Sequence, residues 1–221
     1  MAQIFISHSA KDRDLVDFIL RAGAGSKVRF IFEEFEKILS GEVNAEKIKK
    51  DIAESSAVFV LLGPNVHSLP HTRDWVLWEA GVANNKDIWV FEKAAGMPTQ
   101  GIVIPNLRHY MLFEPTEGYQ AYAMKVIKSY DDSDVLAATL SGGGVGAVFG
   151  PPGVVVGALA GWFLSDQSKT RPSGVAINCP SCKSSYQLHV QLGRVEFRCP
   201  VCNSEQRVPA GQPTATAISA N

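Results

Sequence analysis

The chain has 221 residues, of which 46% are hydrophobic, and its formal net charge is −1. This composition excludes a chain that is disordered throughout, and the neutral charge balance gives no sign of general nucleic-acid binding. The length suggests one full domain with something smaller attached. Charged residues follow the short N-terminal apolar run at once, which is unlike a signal peptide, so we expect a cytoplasmic protein with reduced thiols.

The first 130 residues alternate predicted strands and helices. Strands are predicted at residues 3–7, 27–32, 57–63, 87–92 and 109–114, and helices at residues 11–23, 44–56, 72–85 and 117–130. Asp12 or Ser9 is expected to cap the first helix, and the glycines near Gly23 to end it. This alternation predicts an α/β fold whose central parallel sheet is covered by helices and binds ligands beyond the carboxyl ends of its strands.

Three segments of this region form an ordered set of motifs: "IFISHSAKD" at residues 4–12, "IAESSAVFVLLGPNVHS" at 52–68 and "DWVLWEAGVA" at 74–83. In order and spacing they resemble a TIR domain, with its F-I-S-x-S-x-x-D, L-S-P and W-V-x-x-E patterns, over roughly residues 1–130. The resemblance implies a flavodoxin-like fold. The sequence departs from the family at Ser40, where a proline is usual before Gly41, and at Gly63, where a serine is usual.

Glu79 is the residue of this region that most needs an explanation. It shares a predicted helix face with Trp75, four residues earlier, and its neighbours are largely apolar. A carboxylate in such surroundings is costly unless it is partnered or needed. The residues alone leave open an ordinary helix glutamate with a structural partner such as Arg73. The TIR resemblance implies instead that Glu79 is the catalytic residue of an NAD glycohydrolase.

The same resemblance places a nucleotide against the sheet edge. Ser7, His8 and Ser9 follow the first strand, and their hydroxyl and imidazole groups are candidates for contacts with sugar or phosphate. Phe32 and the loop that starts at Glu33 would line the other side, and Trp75 is a candidate aromatic wall for a flat ring of NAD. Each also has a plain structural interpretation: a core tryptophan, a turn serine, an ordinary histidine.

Two other functional classes stay open. Many domains that resemble this one act only by self-association, which would make the region an assembly module without catalysis. Nucleoside deoxyribosyltransferases are similar too, with an E-x-G-x-A helix that "EAGVA" at residues 79–83 also fits. Those enzymes use the glutamate as a nucleophile on the sugar.

Residues 141–165 form a glycine-rich segment that contains no charged side chain. Gly153, Gly157 and Gly161 are four apart, which places small residues on one helix face, as in glycine-zipper and membrane helix pairs. The segment is long enough to span a bilayer, but Pro151 and Pro152 favour two short helices around a turn. We expect a helical hairpin that self-associates and associates with membranes; a soluble glycine-rich hairpin or spacer is the alternative.

All four cysteines lie in two C-x-x-C pairs near the C-terminus: Cys179, Cys182, Cys199 and Cys202. Their spacing is typical of a zinc ribbon, and four thiolates give a closed, structural Zn²⁺ site. Lys183 and Asn203 stand where such ribbons often carry glycine. The segments "SYQLHVQL" and "RVEFRC" are expected to pair as a small β-hairpin.

The predicted organisation has five parts. Residues 1–130 are the TIR-like domain, 131–165 a linker with the glycine zipper, 166–174 a second linker, 175–208 the zinc ribbon and 209–221 a disordered tail. The functional expectation is an NAD glycohydrolase that is activated by self-assembly, in an immune or cell-death effector.

Overall fold

The computed structural model of the chain describes residues 1–32, 45–93, 102–113, 116–131, 174–190 and 196–207. Nine strands are present in these ranges: β1 (Gln3–Ser7), β2 (Arg29–Phe32), β3 (Ala57–Leu62), β4 (Asp87–Lys93), β5 (His109–Phe113), β6 (Val175–Asn178), β7 (Ser185–His189), β8 (Glu196–Arg198) and β9 (Glu205–Arg207). Five helices accompany them: α1 (Arg13–Ala22), α2 (Ala45–Glu54), α3 (Pro64–Ser68), α4 (Pro70–Val82) and α5 (Glu117–Lys128).

Seven of these strands form one sheet in the order β2-β1-β3-β4-β5-β7-β6. The pairings from β2 through β5 are all parallel, which gives the 2-1-3-4-5 order of a flavodoxin-like fold. The predicted α/β class and central parallel sheet are therefore confirmed. Residues of β3 are buried throughout, as expected of a central parallel strand that carries a continuous apolar run.

The helices cover the sheet on both faces. Ile4 and Ile6 of β1 point to the face that packs on α1 and α5, whereas Phe5 points to the opposite face, where α2 and α4 pack. Since side chains alternate along a strand, Ser7 shares its face with Phe5. The last residue of β1 therefore points toward α4, the helix that carries Glu79.

The cysteine-containing part of the chain joins this sheet directly. β7 pairs in parallel with β5, and β6 pairs antiparallel with β7 at the outer edge. Ile177, Tyr186 and Leu188 share one hydrophobic core with the sheet and with α2 and α4. The backbone N–H of Ile104 also donates to the carbonyl of Pro200 at 3.2 Å. β6 and β7 thus extend the central sheet, whereas β8 and β9 form a separate two-stranded sheet, and the sequence did not predict this arrangement.

Two local predictions are corrected by the structure. The segments of β7 and β8 do not pair with each other: β7 pairs with β5 and β6, and β8 pairs with β9. Each C-x-x-C pair instead lies in the turn of its own antiparallel hairpin. Asp12 precedes α1, but its carboxylate makes no capping bond to that helix and accepts from Asn65 instead.

Several predicted segments lie outside the described residues. They are the second loop with Ser40 and Gly41, the glycine-rich segment at 141–165, the linker at 166–173 and the tail at 209–221. Within the described ranges, every helix is too short or too polar to serve as a membrane span.

Candidate functional site

Glu79 lies buried on α4, and both of its carboxylate oxygens accept hydrogen bonds. The hydroxyl of Ser7 donates to Oε2 at 2.5 Å, and the indole N–H of Trp75 donates to Oε1 at 2.9 Å. Only 1% of the glutamate is exposed. Charge-assisted bonds of this kind offset the cost of burying a carboxylate and fix its orientation. The predicted apolar surroundings of Glu79 are therefore real, and Ser7 and Trp75 are its partners.

The contact between Ser7 and Glu79 places the carboxylate at a defined point of the sheet. Ser7 is the last residue of β1, which lies between β2 and β3. In this strand order the chain connections run in opposite directions on the two sides of β1, and the crevice at that switch point is where open α/β sheets bind ligands. Glu79 therefore stands at the expected ligand-binding edge.

Trp75 also has an aromatic neighbour on its own helix. Its ring centroid lies 4.7 Å from that of Trp78, with the ring planes inclined by 32°. Both tryptophans are partly buried against the core. The two rings form a continuous aromatic surface beside the carboxylate, and Trp75 contributes both its face and its N–H group to the site.

The other predicted nucleotide contacts divide into two groups. His8 packs edge-on against Phe32, with ring centroids 5.5 Å apart, and its Nδ1 lies 3.1 Å from the carbonyl of Ile6. Ser9 is buried, and its hydroxyl accepts from the backbone N–H of Lys11 at 3.3 Å. The structure therefore joins Ser7 and Trp75 to Glu79, pairs His8 with Phe32 at the ends of β1 and β2, and gives Ser9 a contact within its own turn.

Asp12 lies near the same edge of the sheet and forms hydrogen bonds with Asn65 in the first turn of α3. Its carboxylate oxygen Oδ1 accepts from the backbone N–H of Asn65 at 3.2 Å and from the Asn65 side chain at 2.6 Å. A Cβ atom on Gly63 would lie 2.3 Å from the Asp12 carboxyl carbon. A larger residue at this position, such as the serine that is usual in TIR domains, would therefore collide with the Asp12 carboxylate unless that side chain moved.

Sequence reasoning missed a second polar group at the carboxyl end of β4. Glu92 is 8% exposed and accepts a hydrogen bond from the Tyr110 hydroxyl at 2.5 Å. Its other oxygen lies 3.2 Å from Nε2 of His67, although the contact lacks the angle of a hydrogen bond. The signal was available, because a glutamate ended the predicted strand "DIWVFE" as Ser7 ended the first.

The four cysteines converge into one cluster. Their sulfur atoms all lie within 4.8 Å of one another, with 3.6 Å between Cys179 and Cys202 and 3.9 Å between Cys182 and Cys199. A tetrahedral ion with metal–sulfur bonds of about 2.3 Å requires sulfur atoms about 3.8 Å apart. The cluster therefore has the donor set and the size of a four-thiolate metal site.

The two C-x-x-C turns are built alike. In the first, Lys183 donates its backbone N–H to the carbonyl of Cys179 at 2.9 Å; in the second, Asn203 donates to Cys199 at 2.7 Å. Lys183 and Asn203 both take the left-handed conformation, with φ of 63° and 61°. These are the positions where ribbons often carry glycine, so the lysine adopts a conformation that asparagine tolerates better.

Hydrogen bonding favours the thiolate form of one of these sulfurs. Burial opposes ionisation of Cys179, but bonds from Ser204 and from the backbone of Cys182 and Ser181 outweigh it and lower its pKa to about 6. Burial raises the pKa of Cys199 to about 11. Burial, and after it the neighbouring Cys199 sulfur, also raises the pKa of Tyr186. The thiolate form that a metal needs is thus favoured unequally within the cluster.

The chain matches no protein-family model and no curated protein.

Proposed function

We propose that this protein is a TIR-like NAD glycohydrolase that cleaves the bond between nicotinamide and ribose. The observation that carries the proposal is the position of Glu79: a buried carboxylate, oriented by Ser7 and Trp75, at the switch point of a 2-1-3-4-5 sheet. The products are nicotinamide and ADP-ribose or a cyclic variant of it.

The proposed chemistry suits a single oriented carboxylate. Cleavage of an N-glycosidic bond builds positive charge on the ribose, as in glycoside hydrolysis. Nicotinamide carries a positive charge in NAD and leaves as a neutral molecule, so no general acid is needed. Glu79 would stabilise the developing cation as a carboxylate and accept hydrogen bonds from ribose hydroxyl groups. Water then bonds to the ribose carbon that nicotinamide leaves and loses a proton to solvent, which gives ADP-ribose; attack on that carbon by a group of the same molecule gives the cyclic variant. A fixed charge in a site that excludes water is worth more than the same charge in solvent.

Ser7 and Trp75 act in this proposal as positioning residues for Glu79. Each carboxylate oxygen has two lone pairs, so a bond from Ser7 or Trp75 leaves acceptor capacity for a ribose hydroxyl. Because the glutamate is 1% exposed in this conformation, substrate entry requires Ser7 or Trp75 to shift. Self-assembly is the proposed source of that shift. The enzyme is then inactive as a monomer and active when assembled.

The test is nicotinamide release from NAD by purified protein, as a monomer and as an assembly, compared with the Glu79→Gln variant. The proposal expects turnover by the assembled parent and its loss in the variant at matched oligomeric state. A parallel incubation with deoxyribonucleosides tests the transferase alternative, which predicts base exchange and no nicotinamide release. Equal NAD turnover by parent and variant would end the catalytic proposal for Glu79.

A non-catalytic assembly module is the second candidate. It is favoured by the satisfied state of Glu79, since a carboxylate with a donor on each oxygen is well explained as structure. Under this proposal Glu79→Gln alters self-association or stability, and assembled parent protein leaves NAD unchanged.

We also propose that Cys179, Cys182, Cys199 and Cys202 hold one Zn²⁺ ion. A closed set of four thiolates supplies a structural cross-link and leaves no position for catalysis. The sulfur separations and the two matched turns support this assignment. Metal analysis of the purified protein should find one zinc per chain, and purified protein that contains no zinc and has four freely titratable thiols would contradict the assignment.

The cellular role is proposed from the resemblance alone. An immune or cell-death effector would act in the cytoplasm and self-associate through the TIR-like domain. The glycine-rich segment at residues 141–165 would add a second self-association site and membrane attachment. Cell fractionation of the full chain tests the membrane component.

A further inference from the structure

A chain of buried polar groups crosses the junction between β5 and β7. Nε2 of His109 lies 3.2 Å from a carboxylate oxygen of Asp87, and its Nδ1 lies 3.2 Å from Nε2 of His189. The other nitrogen of His189 lies 2.5 Å from the Tyr122 hydroxyl. His189 belongs to the cysteine-containing part of the chain, and the other three residues belong to the TIR-like part. We call these four residues the junction relay.

The geometry of the junction relay determines where its protons lie. A proton on Nε2 of His109 faces the carboxylate of Asp87, which leaves Nδ1 as an acceptor. His189 then donates from Nε2 and accepts on Nδ1 from the hydroxyl of Tyr122. Burial raises the pKa of Tyr122, so this hydroxyl stays protonated and able to donate. Every step has one donor and one acceptor when both imidazoles are neutral.

Neighbouring aromatic groups hold the relay in place. The Tyr130 hydroxyl donates to the second oxygen of Asp87 at 2.6 Å and accepts from the indole N–H of Trp89 at 2.9 Å. The ring of Trp89 stacks on His109 at 4.1 Å and lies 4.7 Å from His189. Asp87 from β4 and Tyr122 from α5 are titratable groups that contact the two imidazoles directly, and Tyr130, which follows α5, contacts Asp87.

Added protons disturb this arrangement. One extra proton is tolerable, because a cationic His109 lies beside Asp87 and His189 can change tautomer. A second proton places N–H groups of both imidazoles against each other, with the facing nitrogen atoms 3.2 Å apart in a buried site, while the Asp87 carboxylate lies at the opposite nitrogen of His109. Release of β7 from β5 separates the two imidazoles, and a histidine exposed to solvent ordinarily titrates at about pH 6.5.

We propose that the junction relay is a proton-sensitive latch, which holds β6 and β7 on the sheet at neutral pH and loosens them in acid. The sign follows from proton counting. The released state binds more protons than the docked state, so docking weakens as the pH falls below the ordinary histidine range. A difference of one proton changes the docking equilibrium by about tenfold per pH unit. The latch does not depend on the proposed NAD chemistry.

The experiment measures amide hydrogen exchange of β5 and β7 in the full, metal-loaded chain between pH 7.5 and 5.5, corrected for the intrinsic pH dependence of exchange. The backbone N–H of Gln187, which donates to the carbonyl of Arg108 at 2.8 Å, is a suitable probe. We expect protection in β7 to fall by about fivefold between pH 6.5 and 5.5, because the full tenfold change per pH unit is reached only below the ordinary histidine range, while β1 and β3 stay protected. Unchanged β7 protection over this range would overturn the latch.

Variants separate the latch from other effects of acid. His189→Gln cannot be protonated and should remove the pH dependence, whereas His71→Gln, at an exposed histidine of α4, should keep it. Zinc content is measured in the same samples, because acid also protonates thiolates. Loss of zinc and of protection together, equally in parent and His189→Gln, would overturn the proposal. If His189→Gln is undocked at every pH, imidazole NMR titration of the parent decides: two ordinary titrations in docked protein contradict the latch.

Discussion

Trp75 donates its indole N–H to the carboxylate of Glu79, one helical turn further along α4, at 2.9 Å. The sequence placed the two residues on one face and suggested that the tryptophan ring contacts a ligand. The structure shows that the polar edge of the ring is directed at the glutamate. A tryptophan at this position therefore supplies a hydrogen-bond donor that a phenylalanine ring lacks.

Replacing Trp75 with phenylalanine separates these two contributions. Trp75→Phe keeps an aromatic face and removes the donor to Glu79. A hydrogen bond to a charged group is worth about 1.5–3 kcal/mol, so we expect NAD turnover to fall by roughly ten- to a hundredfold with little change in KM. Trp75→Ala should raise KM as well, because the ring is lost. Unchanged kcat in Trp75→Phe would show that the indole N–H does not position the carboxylate.

Glu79→Gln should abolish most turnover without unfolding the protein. The amide oxygen still accepts from Trp75 and the amide N–H₂ can donate to the hydroxyl of Ser7, so the local bonds survive the loss of charge. Loss of a preorganised electrostatic contact typically costs about 10² to 10³ in rate. Glu117→Gln, at an exposed glutamate in the first turn of α5, is the matched control and should retain parental activity. Thermal melts of all three proteins check the fold.

The sequence singled out Ser7, Trp75 and Glu79, but it did not predict the hydrogen bonds that join them. Ser7 and Glu79 were found because strand ends and helix faces are local patterns that one sequence displays. The bond between them joins residues 72 positions apart, and periodicity carries no information about such a contact. Asp12 illustrates the limit: it stands where a helix cap is expected, but its carboxylate bonds to Asn65 across the sheet edge. Long-range packing overrode the local preference.

Metal removal should destabilise the whole sheet. β7 lies between β5 and β6, so unfolding of the cysteine turns removes two strands from the sheet and uncovers the edge of β5. We expect chelation to lower the Tm by roughly 10 °C or more. At about 2–4 °C per kcal/mol in a chain of this size, this corresponds to a loss of about 2.5–5 kcal/mol in the free energy of unfolding. Far-UV circular dichroism with parallel zinc measurement tests this. A first transition confined to the ribbon, followed by melting at the parental Tm, would contradict it.

The sequence patterns did not predict that β6 and β7 join the central sheet. The spacing of each C-x-x-C pair predicts a turn. Lys183 and Asn203 take the left-handed conformation at the positions where such turns often carry glycine. The pairing of β7 with β5 connects Tyr110 with Leu188, and a strand pattern does not specify which distant strand it will join. His109 and His189 were likewise invisible as a pair. Their meeting follows from that register.

The glycine-rich segment at residues 141–165 is predicted from its sequence to pack helix against helix through its glycine face. Gly157→Leu places a large side chain on the proposed glycine face and should prevent close helix contact, which lowers both self-association and membrane association. If NAD cleavage requires assembly, Gly157→Leu should also lose NAD turnover. If it does not, turnover should stay at the parental level. Fractionation and sedimentation of the full chain are the measurements. A variant that fractionates and oligomerises like the parent would leave the segment as a spacer.

Gly174→Ala tests the close approach at the entry to β6. A Cβ atom there would lie 2.8 Å from the carbonyl oxygen of Leu188 and 2.9 Å from the ring of His189. Because backbone is one of the two neighbours, the strand itself must shift, and overpacking of this kind costs about 1–3 kcal/mol. Gly81→Ala is the matched control: Gly81 is exposed on α4, a Cβ there meets nothing within 4 Å, and alanine should stabilise the helix by about 0.5–1 kcal/mol. The urea midpoints of the two variants should therefore shift in opposite directions from that of the parent.

Gly174→Ala should also affect hydrogen exchange. Since the added methyl group presses on His189, the variant should weaken protection of β7 at neutral pH, before any histidine is protonated. Equal midpoints and equal β7 protection in Gly174→Ala and parent would mean that β6 does not need this close contact to remain on the sheet.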